Sequence, residues 1–277
     1  MRYKILESFV DEKTCAELIS DAKKYSQNDN LKVLNNRLIL PSSSIGFLNL
    51  IEKSEVWNKL HEYLNSQSFL KILQKELKID DKNFLVTNFF FNKKPSSLLK
   101  KYKTLNSKKM STVGNYSLLF YVFFKFYRSI QRKIKYFFTT KKFVELLYDY
   151  SISPNGYFRE IHRDSDSRTI VFLIYLNQLS LNGSGGELNL FKYNKENQNI
   201  PSQPNEQDCS LIQSIPPKTG RLVTFLNSHD SLHSVSKMEN HDELRHFLYG
   251  SFTLLAKKNT FLKKSIGSLK TNFNIFE

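Results

Sequence analysis

The sequence predicts an α+β chain, with helices gathered in its first part and a β-sandwich or barrel in its last. Before residue 93, apolar residues recur at three- and four-residue steps, the mark of helices with one buried face. From Tyr148 onward the texture changes to short β-branched and aromatic runs separated by Gly, Asn, Ser and Pro, as in strands joined by tight turns. Between the two lies a segment crowded with Lys, Arg and aromatic residues. A chain of 277 residues can bury a sizeable core, and 40% hydrophobic with 14% aromatic content excludes wholesale disorder.

Taken in order, Tyr3–Leu6 reads as a short strand, and a helix follows from about Asp11 to Tyr25. Cys15, Leu18, Ile19 and Ala22 mark its apolar face, and Asp11 or Thr14 can cap it. One further helical stretch spans Val56 to Leu77, and Phe84 to Phe91 reads as a strand. Residues 1–92 are thus expected to pack as helices and strands against the core.

The formal net charge of +15 is mostly local, because Lys93 to Lys142 hold fourteen Lys and Arg and no acidic residue. Within this stretch Leu119, Phe123, Phe126, Ile130, Ile134 and Phe137 share one helical face, with Lys125, Arg128, Arg132 and Lys135 opposite. A basic, amphipathic helical insertion is therefore expected over 93–147. Its apolar face can pack on the core, and residues 116–138 could alternatively contact a membrane surface or an anionic ligand.

Seven strands are expected beyond it: Tyr157–Ile161, Thr169–Leu176, Glu187–Phe191, Ser210–Ile215, Arg221–Phe225, Leu232–Val235 and Leu244–Leu255. His162 and Asp164 follow the first of them, and alternation along an extended chain puts both side chains on one side. A His and a carboxylate supply two of the three ligands of the facial triad that holds iron(II) with coordination positions left open. His229, His233 and His241 are nearby candidates for a third ligand.

His162-Arg163-Asp164 is followed by Tyr175-Leu176-Asn177, Gly185-Gly186-Glu187-Leu188, Gly220-Arg221-Leu222-Val223-Thr224-Phe225, His233-Ser234-Val235 and Arg245. This succession, over 148–255, resembles the prolyl-4-hydroxylase-like branch of the iron(II)/2-oxoglutarate oxygenase superfamily, and ILESFVDEKTCAELI resembles that branch's helical lead-in. The resemblance implies a double-stranded β-helix (jelly-roll) core, assigned to 148–258 and followed by a tail at 259–277, the whole forming one domain. It implies that His162, Asp164 and His233 bind iron, and that Arg245 pairs with the distal carboxylate of 2-oxoglutarate. Tyr175 matches a position that donates a hydroxyl to the same carboxylate.

His233 is preferred on context, with His229 the fallback. Arg245 follows it by twelve positions, a longer gap than the branch shows; a turn at Asn240-His241-Asp242 can absorb it, and Lys237 is the second choice of anchor. His61 and His246 read as packing or surface residues, Tyr150 as core, and Gly185-Gly186 as a hairpin turn.

The implied cofactor is Fe(II), the co-substrates are 2-oxoglutarate and O₂, and ascorbate is a further candidate. The implied reaction is hydroxylation of a C–H bond of a small molecule, lipid, glycan or protein side chain, with release of succinate and CO₂. Asp164 argues against halogenation, since halogenating relatives lack that carboxylate. Ser251 argues against nucleic-acid demethylation, since that branch carries a second arginine there. A non-catalytic peripheral membrane or anion-binding protein on a degenerate jelly roll is the competing class.

With only Cys15 and Cys209 no disulfide framework can be inferred. Charges start at the second residue, and no apolar run reaches the roughly 20 residues of a spanning helix. A cytoplasmic protein, with peripheral membrane contact as a variant, is the expectation.

Overall fold

The computed structural model describes residues 1–26, 31–79, 84–86, 142–180, 182–195 and 199–254. Residues 93–141, with the expected amphipathic helix and membrane contact at 116–138, lie outside them, as does the tail at 259–277.

Strand β1 (Tyr3–Leu6) leads into helix α1 (Glu12–Tyr25), which Asp11 caps by accepting the Thr14 backbone N–H at 2.8 Å. A cap of this kind is worth about 1 kcal/mol. The stretch expected to be one helix from Val56 to Leu77 is two, α3 (Glu55–Leu64) and α4 (Gln67–Glu76). Ser66 divides them, since its hydroxyl accepts the Phe69 N–H at 3.1 Å and starts a second helix. Helix α2 (Ile45–Lys53) and the hairpin β2 (Lys32–Leu34) with β3 (Arg37–Pro41) were not foreseen. Phe84–Val86 forms β4, and the remainder of the predicted Phe84–Phe91 strand lies outside the described residues.

Eight further strands make the core: β5 (Lys142–Ser153), β6 (Arg159–His162), β7 (Arg168–Tyr175), β8 (Leu188–Tyr193), β9 (Cys209–Ile215), β10 (Leu222–Leu226), β11 (Leu232–Val235) and β12 (Arg245–Leu254). The strand that opens the core begins at Lys142, six residues before the expected boundary, so 142–147 is strand rather than the end of a helical insertion.

All core pairings are antiparallel, and they nest: β8 with β9, β7 with β10, β6 with β11, β5 with β12. Such a strip, folded at the β8–β9 end, wraps on itself through two more pairings, β12 with β7 and β11 with β8. The result is a double-stranded β-helix, or jelly roll. One sheet runs β1-β10-β7-β12-β5-β3-β2 with β4 beside β5, and the other runs β6-β11-β8-β9.

The outer face of the larger sheet carries the helices. Phe69 meets Phe172 edge-on at 5.2 Å and Trp57 meets Tyr150 at 5.3 Å. Fully burying such a side chain contributes roughly 1.5–3 kcal/mol, so this layer fixes the sheet from behind. Tyr150 and His61 belong to that packing, as expected. Between the two sheets lie Val171, Leu173, Leu190, Val223, Phe225 and Phe247, all buried. The functional side chains occupy the polar end of that interior.

Candidate metal and co-substrate site

His162 is the last residue of β6 and pairs directly with His233 of β11, so the two imidazoles are a cross-strand pair with ring centroids 4.4 Å apart. Asp164 stands two residues beyond, in the turn before β7. One ligand atom from each of the three lies within 4.8 Å of the others. His229 is not in this group, nor is His241, whose Nε2 lies 3.0 Å from the Ser184 carbonyl.

The backbone fixes the tautomer of both rings. His162 Nδ1 lies 2.8 Å from the Glu160 carbonyl and His233 Nδ1 3.1 Å from the Ser231 carbonyl. A carbonyl only accepts, so each Nδ1 is the protonated nitrogen and each Nε2 keeps its lone pair free. His233 Nε2 faces Asp164 Oδ2 at 3.9 Å. Burial lowers the pKa of His162 to about 4, helped by the neighbouring His233, and burial also lowers that of His233. Burial works against ionisation of Asp164, but His233, Arg168 and the Tyr249 hydroxyl outweigh it and hold its pKa below the usual value. Two neutral imidazoles and one carboxylate are the donor set that suits a divalent iron.

Asp164 is itself held. Tyr249 Oη donates to both carboxylate oxygens, at 2.9 and 2.8 Å, and Arg168 Nη1 donates to Oδ1 at 2.8 Å. Arg168 also contacts the Tyr249 hydroxyl. Burial and the charge of Asp164 raise the Tyr249 pKa well above its ordinary value, so the phenol stays a donor.

Arg245 opens β12 and is completely buried. Its Nη2 lies 3.4 Å from the Tyr175 hydroxyl, and its guanidinium sits over the rings of Tyr175 and Phe247, at 5.1 and 4.5 Å. Nε and Nη1 have no hydrogen-bond partner among the described residues, and no carboxylate there pairs with it. A buried cation without a counter-ion is costly, so the site as built awaits an anion. A carboxylate of a dicarboxylic co-substrate matches that guanidinium in charge. Lys237, the second choice of anchor, is exposed and paired with Glu239 at 2.7 Å.

Asn177 sets the position of Arg245. Its side chain accepts the His246 N–H at 2.7 Å and donates to the Leu244 carbonyl at 2.9 Å, gripping the backbone on both sides. The long gap between His233 and Arg245 is absorbed as expected around Asn240, which adopts φ 59°. Gly185-Gly186 is not a tight hairpin turn. Both residues have positive φ and run alongside 236–238, where a Cβ on Gly185 would lie 1.7 Å from the Lys237 carbonyl. His246 is a packing residue, its Nδ1 2.7 Å from the Tyr150 hydroxyl.

The family model described as the 2OG-Fe(II) oxygenase superfamily matches residues 147–250, which contain the three-ligand cluster, Tyr175 and Arg245. This stretch resembles the core of that superfamily. Among solved structures, the chain is similar to a prolyl-4-hydroxylase from Pseudomonas putida at 13% identity, with 92% of this chain and 93% of that one covered and a TM-score of 0.45. It is likewise similar to a 2OG-Fe(II) oxygenase family oxidoreductase from Burkholderia pseudomallei, at 8% identity, coverage of 91% and 84%, and a TM-score of 0.48. No curated protein matches the chain. Among the described residues, no helix is long and apolar enough to cross a membrane.

Arg168, Tyr249 and Asn177 escaped the sequence reading as site residues. Arg168 stands four residues after Asp164 and could have been found by asking what neutralises a buried carboxylate. Tyr249 is 85 residues from Asp164, and no local pattern joins them.

Proposed function

We propose that this oxygenase hydroxylates a C–H bond of an organic substrate, with His162, Asp164 and His233 holding iron(II) and Arg245 with Tyr175 holding the distal carboxylate of 2-oxoglutarate. The observation that carries the reading is the pairing of a cluster of two neutral imidazoles and one carboxylate with a buried, anion-seeking arginine inside one jelly roll. When bound, the iron with 2-oxoglutarate and O₂ supplies the oxidation: one oxygen atom enters the C–H bond, the other enters succinate, and CO₂ leaves.

The chain's own residues set the conditions. The Glu160 and Ser231 carbonyls keep each Nε2 unprotonated, and Tyr249 with Arg168 keeps Asp164 ionised and oriented. Buried Arg245 selects a dianionic co-substrate of the right length, since a shorter acid would leave the guanidinium without its partner. The apolar wall of Leu190, Phe225 and Phe247 limits water around the reacting centre.

The test is 2-oxoglutarate decarboxylation, followed as succinate released per iron in the presence of O₂. Turnover should require iron and 2-oxoglutarate and should vanish in Asp164→Ala. An Asp164→Ala protein with full turnover would refute the ligand assignment.

A further inference from the structure

Phe247 and Tyr249 follow Arg245 at two-residue steps on the inner face of β12, so this row leads from the co-substrate anchor to Tyr249, which touches Asp164. Arg37, the first residue of β3, lays its guanidinium along the row, 5.4 Å from the Phe247 ring centre and 5.3 Å from that of Tyr249. It reaches there from a hairpin whose two turn residues, Asn35 and Asn36, both have positive φ (50° and 59°). The side chain is only 11% exposed.

Its contacts are poor for a buried guanidinium. Nη2 stands 3.6 Å from Asp149 Oδ1, Nη1 stands 3.4 Å from the Tyr157 hydroxyl, and Nε is buried with no partner. None has the 2.7–3.2 Å length of an ordinary N–H···O bond. Asp149 accepts instead from the Ser151 hydroxyl. A guanidinium bound only to hold Asp149 would close on it at about 2.8 Å, as Arg168 does on Asp164. Three guanidiniums, those of Arg37, Arg168 and Arg245, thus face two carboxylates, those of Asp149 and Asp164, before any divalent metal is added.

We infer that Arg37 is a specificity-determining residue, the receptor for an oxyanion, carboxylate or phosphate, carried by the primary substrate. The inference rests on the proposed function for the identity of the neighbouring site. An acidic group held at Arg37 would place the adjoining carbon chain along Phe247 and Tyr249, towards Asp164. Asp149, loosely paired in the free site, opposes anion binding and so discriminates against weakly held anions.

The experiment uses protein loaded with zinc(II), as a redox-silent stand-in, and saturated with 2-oxoglutarate. Ligand-observed NMR then measures two matched pairs of probes, hexanoate against hexanamide and glycerol 3-phosphate against glycerol. The wild type should bind at least one acid tenfold or more tightly than its neutral partner, and which acid does so separates a carboxylate from a phosphate substrate. Arg37→Gln should bring the ratio below twofold, and Arg37→Lys, which keeps a cation beside Asp149, should give an intermediate ratio in a folded protein. Asp149→Asn should raise the ratio, an outcome that a merely structural ion pair does not produce. Absence of preference in the wild type, its survival in Arg37→Gln, or its decrease in Asp149→Asn would overturn the inference. Binding of 2-oxoglutarate, followed in parallel, should change less than twofold in Arg37→Gln. A wild type that binds 2-oxoglutarate but prefers neither acid over its neutral partner, or keeps that preference in Arg37→Gln, would sink this inference alone. The preference persisting in a protein with no affinity for 2-oxoglutarate would sink the oxygenase reading and leave the oxyanion site standing.

Discussion

Replacing Arg245 by Ala probes the proposed co-substrate anchor with a magnitude that the geometry supplies. Nε and Nη1 are two donors with nothing to bind, both aimed from a fully buried position. A hydrogen bond to a charged group contributes about 1.5–3 kcal/mol, so two of them contribute roughly 3–6 kcal/mol. At about 1.4 kcal/mol per decade, the Kd for 2-oxoglutarate should rise by about 10² to 10⁴. The assay is isothermal titration of zinc-loaded protein with 2-oxoglutarate. Zinc affinity is measured alongside, because Arg245 touches none of the three ligands and that value should stay within a few-fold. Tyr175→Phe removes one hydroxyl at the edge of the same group and should cost only about 0.5–1.5 kcal/mol, or up to tenfold. A fall of less than fivefold in Arg245→Ala, in a protein that melts normally, would refute the anchor assignment and leave the orphaned guanidinium unexplained.

Tyr249→Phe takes away the donor that bridges both Asp164 oxygens, and losses around a metal ligand typically weaken metal binding about 10- to 100-fold; zinc titration monitors it. Asn177→Ala frees the backbone on both sides of Arg245, which should lower Tm and weaken 2-oxoglutarate binding together, whereas a change in Tm alone would contradict the positioning role. Burial depresses His61 and His246 to a pKa of about 4 from an ordinary 6.5. Each therefore binds fewer protons folded than unfolded, so its stability contribution is full above pH 6.5 and is lost as pH falls towards 4. The midpoint of urea unfolding, taken on metal-free protein, should drop across that window, and a flat profile would contradict the burial of these imidazoles.

Much of this fold is legible because an antiparallel core strand buries alternate residues between turns that need Gly, Asn or Pro. Leu232–Val235 is predicted to the residue, and the six other predicted strands of the core are found with ends displaced by up to two residues. Strand β5 is missed although its pattern is present: Val144, Leu146, Tyr148 and Tyr150 alternate against the helices, while Asp149, Ser151 and Ser153 face inward and make it read as polar. Helix α2 is missed for the opposite reason, since Phe47, Leu48, Leu50 and Ile51 are buried around much of its circumference and leave no clear polar face.

The candidate metal cluster is legible because two of its members stand two residues apart and the third lies in the short strand Leu232–Val235 that follows the Gly220-to-Phe225 element. What holds the cluster is not. Tyr249 reaches it only through strand pairings across 85 residues, Arg37 reaches the Tyr249 ring from farther still, and a tyrosine or a lone arginine in an apolar run has no local mark of such a role. Such contacts belong to topology, which the order of residues fixes only after the strip has wrapped.

The central claim is tested most directly by titrating the iron(II)-loaded protein with 2-oxoglutarate under anaerobic conditions and watching for the weak visible charge-transfer band of the chelate, in wild type and His233→Ala. A band in the wild type that is absent from His233→Ala is the predicted result. A wild-type protein that binds iron and 2-oxoglutarate without a band, or a His233→Ala protein with an unchanged one, would contradict the site proposed for this chain.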